Sequence, residues 1–190
     1  LMTLEATTSQ ITTVGALSLQ AGQGIVLTNS LTSTGGSSKP LVINSDNDST
    51  GSNGTLTVQT SMTITSNNNA VTITAWDLTL DGSIDAGTAA MIIHGAEAGE
   101  TIGLGGTSRN MHIEGNELQR MTAIGLTIGS TVSGTATVNG VTEDNSNLIT
   151  TSTVTLVASR DDAQILFETA PSTFYALAAQ ADNGVVDEVD

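Results

Sequence analysis

Between Leu56 and Leu80 the chain runs through four short alternations: Leu56-Thr-Val58, Met62-Thr-Ile64, Val71-Thr-Ile73 and Leu78-Thr-Leu80. A period of two sends the apolar residues to one face and the threonines to the other. The β-branched content suits a pleated surface. The spacers Gln59 to Ser61, Ser66 to Asn69 and Ala75 to Asp77 are too short for crossover helices. Only some of them look like hairpin turns. Short strands that each turn a corner into the next predict the stacked rungs of a parallel β-solenoid.

The same text continues on both sides. Leu17/Leu19 and Ile25/Leu27 read as one rung's strands with glycines at the bend, and Leu41 to Ile43 reads as another strand. Asn44 to Gly54 is polar and predicts a projecting loop. After Leu80 come Asp81-Gly82, a turn signal, and Ile84. Short apolar runs follow at Met91 to Ile93, Ile102 to Leu104, Met111 to Ile113, Ile124 to Ile128, Ala136 to Val138, Val154 to Val157 and Ile165 to Phe167. Asn116 to Thr122 has helical residue preferences but is short, and it reads as a bend. Phe174, Leu177, Ala178 and Ala181 fall at i, i+3, i+4 and i+7, with Ser172 as N-cap and Asn183-Gly184 as stop. That spacing predicts a short helix over 172–181. With rungs of roughly 20 residues, the chain would make about nine, at ~4.8 Å per rung. The expected fold class is all-β: a right-handed parallel β-helix (β-solenoid) with short strands and Gly/Asn-rich corners, residues 1–190 forming one segment.

Composition supports a narrow core. Apolar residues make up 38% of the chain but aromatics only 2%, and a wide core would draw on more aromatic area. The regular placement of Leu, Ile and Val argues against disorder. A net charge of −15 with four cations disfavours nucleic acid and anionic membranes, and no apolar run is long enough to span a bilayer. The chain has no cysteine, which leaves its redox compartment open. It begins at Leu1, mid-pattern and without a signal peptide, so a processed product or a piece of a longer repeat chain is expected.

Two stretches resemble a known family. Gly15-Ala-Leu-Ser-Leu-Gln-Ala-Gly-Gln-Gly-Ile-Val-Leu27 resembles the repeat of filamentous haemagglutinin-like adhesins, and Leu78 to Gly87 fits the same pattern. Glu117-Leu-Gln-Arg-Met-Thr-Ala-Ile-Gly-Leu-Thr-Ile-Gly129, followed by Gly134 to Thr142, resembles tandem units of very long haemagglutinin-like repeat proteins, including algal and protist ones. The Phe174 to Gly184 segment resembles part of the same unit. The resemblance implies a parallel β-helix in an extracellular or cell-surface fibre or adhesin. Open sheet edges at both ends of the stack predict pairing with another copy or with further repeats of the chain, and the polar faces are expected to meet solvent, glycans or partners. It carries no catalytic residues.

Candidate chemistry is sparse. Asn44, Asp46 and Asp48 alternate with Thr50 near Gly51 and resemble a calcium loop supplying oxygens at every second position. Ser49 stands at the expected glycine and Thr55 at the expected bidentate glutamate, so the match is partial. The same loop holds two glycosylation sequons, at Asn47 and Asn53. A β-helical polysaccharide enzyme would need stacked acids or a base on neighbouring rungs. Asp161-Asp162 is the one adjacent Asp pair, His94 and His112 are the two histidines, and no nucleophile, metal or phosphate motif is present. His112 alternates with Met111 and Ile113 and reads as a strand-face residue. Thr-x-Thr at 63–65 and 72–74 invites an ice-binding ladder. The motif lapses after Leu80, and ordinary β preference for Thr accounts for it. Trp76 reads as a cap on the core, since a sugar platform needs several aromatics. The expectation is a structural protein rather than an enzyme, with a carbohydrate-binding adhesive module or a polysaccharide-active enzyme as alternatives.

Overall fold

The computed structural model describes residues 1–7, 10–149 and 153–189. The chain winds repeatedly past three faces. The first rung is β1 (Met2–Leu4), β2 (Gln10–Thr13) and β3 (Leu17–Gln20). Upon it lie β4 (Ile25–Leu27), β5 (Ser30–Ser33) and β6 (Leu41–Asn44). The third rung is β7 (Leu56–Val58), β8 (Thr63–Thr65) and β9 (Val71–Thr74). The fourth is β10 (Leu78–Leu80), β11 (Ser83–Asp85) and β12 (Ala90–His94). Every pairing between rungs is parallel, so this is a parallel β-solenoid. In register, Leu17, Leu41, Val71 and Met91 stack, as do Leu19, Ile43, Ile73 and Ile93. Leu56, Val58, Ile64, Ile73 and Leu80 are all buried in the single apolar column these ladders make.

Beyond β12 the winding changes. The chain returns to the first face as β13 (Ile102–Gly105), then doubles back to form β14 (Met111–Ile113), parallel to β13 and paired with it. A one-turn helix α1 (Gly115–Leu118) follows, then β15 (Met121–Thr122) on β11 and β16 (Gly125–Ser130) on β12. The next strand, β17 (Ala136–Asn139), pairs with β13, not β14. Helix α2 (Glu143–Ser146) leads on to β18 (Val154–Ala158) on β16 and β19 (Ile165–Phe167) on β17. Last come β20 (Leu177–Ala181) on β18 and β21 (Val185–Asp187) on β19. The first face thus holds one strand more than continuous winding requires. The doubling back depends on Gly103, because the return segment crosses β13 there. A Cβ on Gly103 would overlap the Thr107 carbonyl oxygen and lie 3.1 Å from the Arg109 amide.

Several expectations need correction. The segment 172–181 is not a helix: Leu177–Ala181 pairs along β18, and the residues before it form no regular element. An isolated helix this short lacks the packing that offsets nucleation, whereas the exposed β18 edge offers five residues of ready backbone partners. Conversely, the bend at Asn116 contains a helical turn. The Glu117 amide donates to the Glu114 carbonyl at 3.1 Å, and Glu117 Oε2 reaches back to accept the Glu114 amide at 2.9 Å, which closes the turn. Most rungs are also longer than 20 residues. The third-face repeat runs from 20 residues (Val71 to Met91) to 35 (Met91 to Leu126), so that face has seven strands rather than nine. Among the described residues, no helix is long and apolar enough to cross a membrane.

Candidate functional site

The extra strand leaves a seam on the first face, because β10 and β14 do not form a ladder. Side chains bridge the seam instead. Glu117 Oε1 accepts the Leu80 amide at 2.7 Å, and Arg120 Nη1 donates to the Leu80 carbonyl at 2.5 Å. Both backbone groups of Leu80 are therefore satisfied by the α1 corner, as a neighbouring strand would have done. Across the seam Asp77 Oδ1 accepts the His112 amide at 2.8 Å. His112 is half-buried on the strand face, with Nε2 at 2.8 Å from the Gly105 carbonyl. A cleft of about 280 Å³ opens here, lined by Asp77, Asp81, His112, Glu114, Glu117 and Arg120 among others. Burial pushes the Asp77 and Glu117 carboxyls above their ordinary values, while the backbone amides they accept pull the other way. No local pattern around Glu117 pointed to Leu80, 37 positions away, as its partner.

The sequence-derived site residues lie at another place, the corner between the third face and the first. Asn44 ends β6. Its Oδ1 accepts the Asp46 amide at 3.2 Å, and its amide nitrogen lies 3.3 Å from Asn47 Oδ1. The expectation that the whole of Asn44 to Gly54 projects into solvent fails at its base. Ser45 and Asp46 are fully buried, and Ser45 donates to the Gly54 carbonyl at 2.6 Å, pinning the loop's neck. Gly54, at φ +92, packs against Asp46, whose Cγ a Cβ would meet at 2.7 Å. Asp48, Asn47 and Asn53 are exposed, so both sequon asparagines are accessible.

Stacking brings acids from another rung toward this loop. Burial, the nearby Asp48 carboxyl and the negative charge of Glu97 push Asp46 up to about 6. The Thr50 amide opposes the shift, yet neither Asp46 oxygen accepts a hydrogen bond. Glu100, between β12 and β13, is also buried. Desolvation, with Asp46 and Glu97 adding repulsion, pushes it to about 7 against the pull of the Glu97 and Ala96 amides. Its Oε2 accepts the Glu97 amide at 3.3 Å while Oε1 has no partner. Among the described residues, no three acidic or histidine side chains converge as a ready-made metal cage.

Other sequence features separate in space. Thr63-Ile-Thr65 and Thr72-Ile-Thr74 lie on different faces, and Asp161-Asp162 is an exposed turn. Trp76 is half-buried at the same corner as Asp46, its backbone amide 3.3 Å from the Gly54 carbonyl. No protein-family model, curated protein or solved structure matches the chain.

Proposed function

We propose that this chain is a structural segment of an extracellular or cell-surface fibre or adhesin of the filamentous haemagglutinin-like kind, working by the stacking of solenoid rungs rather than by catalysis. The observation that carries the reading is the all-parallel winding in which each rung gives its backbone edge to the next. The strands at the ends of the sheets, β1 to β3 on one side and β20 and β21 on the other, present unpaired edges that further repeats or another copy would fill. Charge placement supports it. Along the third face the outward register Ser18, Val42, Thr72, Ile92, Thr127, Thr155 and Ala178 carries no charge. The many acids sit mostly at corners, so like charges rarely stack along the strands.

Negative-stain and diffraction imaging of the native material tests this. Fibres with an axial repeat of ~4.8 Å are expected, and uniform short rods at every concentration would overturn it. A glycan-binding adhesive module is a second reading, favoured by the polar seam cleft, whose carboxylates and Arg120 match sugar hydroxyls. Binding on a glycan array that Asp81→Ala weakens would favour it, and a blank array would reject it.

A further inference from the structure

Asp46 is an unusual residue for a thin solenoid. It is fully buried, both carboxyl oxygens lack a donor, and the loop neck that buries it is held by Ser45 and Gly54. An ionised carboxylate in such a place has lost water without gaining a partner, a heavy penalty unless a counter-charge arrives. Among the described residues no side chain supplies one: the one ion pair, Arg109 with Glu168, lies elsewhere, and Arg120 is engaged at the seam. Arg160 rests beside Gly99, where a Cβ would lie 3.5 Å from its guanidinium carbon, without pairing with a carboxylate. The surroundings are instead more acidic. Asp48 lies next to Asp46 with its carboxyl over Gly22. At the end of the fourth rung, Glu97 and Glu100 are close enough for their charges and that of Asp46 to act on one another. The oxygens are hard donors, and an irregular loop suits the flexible coordination of calcium better than the strict octahedron of magnesium.

We propose that Asp46 and Asp48 ligate a calcium ion at this corner, with Glu97 and Glu100 supplying the negative field that retains it. Water and loop oxygens complete the shell. The bidentate glutamate missing from the loop, where Thr55 stands, is thereby offset by carboxylates folded in from a different rung. With only two direct carboxylates, the affinity falls in the weak extracellular class, Kd about 10⁻⁴–10⁻³ M. The ion would tie the long loop to its rung.

Trp76, the sole tryptophan, reports on this corner. Terbium added to the 190-residue chain should give luminescence sensitised through Trp76, and calcium should displace it. Millimolar calcium should raise the melting temperature of the wild type but not of Asp46→Asn. In chelator, Asp46→Asn should melt above the wild type, because the unpaired buried charge is gone. Asp48→Asn, at an exposed position, should leave the chelated protein unchanged and still lose the calcium response. Absence of a calcium-dependent rise in the wild type would overturn the proposal. So would an equal rise in both variants, which would put the stabilising ion elsewhere.

Discussion

Replacing Gly103 with alanine tests the least expected feature of the fold, the doubling back of β13 into β14. Gly103 adopts an ordinary backbone conformation, so alanine brings no intrinsic strain there. What it brings is a methyl group in the path of the return segment, overlapping the Thr107 carbonyl and 3.1 Å from the Arg109 amide. The obstruction is backbone and cannot rotate away. Overpacking costs ~1–3 kcal/mol, and a backbone obstacle puts this case near the top of that range. Lifting the segment also breaks the bond from Arg109 Nε to Thr137 Oγ1, at 3.1 Å. That adds ~1 kcal/mol, while the half-exposed Arg109–Glu168 pair, at 3.3 Å, adds less. The expected loss is about 3–4 kcal/mol in all. Gly36→Ala is the control, since a Cβ there meets nothing within 4 Å, and a change within ~0.5 kcal/mol is expected. Urea unfolding at fixed pH, with proteolysis of the 106–110 segment, reads both variants. If the Gly103 and Gly36 variants unfold at the same urea concentration, the return segment does not cross β13 and the seam argument fails with it.

Three other perturbations probe different levels of the structure. Glu117→Ala strands the Leu80 and Glu114 amides. It should cost ~2–4 kcal/mol by the penalty for unmet buried donors, whereas Glu117→Gln, which keeps one acceptor oxygen but turns an NH2 donor toward the other amide, should recover only part of that loss. Unchanged hydrogen exchange at the Leu80 amide would contradict the bridging role. Ile73→Ala, at a fully buried position, should cost ~2–5 kcal/mol. Ile73→Asp should unfold the neighbouring rungs, visible as lost circular dichroism and new protease cuts. For Glu100, faced by Asp46 and Glu97 with Arg160 near Gly99, the native carboxyl titrates at about 7 against 4.5 when exposed. The native state therefore holds the proton more tightly. Its stabilising contribution is fully present below pH 4.5 and is lost as pH rises through about 7. In calcium-free buffer Glu100→Gln should flatten that decline, gaining ~2–3 kcal/mol at pH 8 and little at pH 4. Parallel pH-stability curves for the two proteins would show that Glu100 ionises freely.

How much was legible follows from which contacts are local. Strand identity is written in the alternation of Leu56 to Leu80, since period two leaves no other face for the apolar residues. The buried set Leu56, Val58, Ile64, Ile73 and Leu80 was readable for the same reason. The failures occurred where a distant edge overrode a local preference. The run from Thr173 to Ala181 has helical spacing and alanines, but the β18 edge lay waiting and captured Leu177–Ala181. The resemblance had already grouped Phe174 to Gly184 with the unit type that contains Leu126, whose strand lies on the same face as β20.

The sequence alone determined a narrow, aromatic-poor, parallel stack, because alternation, β-branching and glycine-rich bends act over a few residues. Only the tertiary structure decided which corners meet. It seated Glu117 under Leu80, turned the chain back at Gly103, and buried Asp46 within the field of acids more than fifty positions away. Such contacts depend on the summed lengths of the intervening loops. A loop's length costs little free energy but shifts every register that follows, and no local pattern encodes that sum.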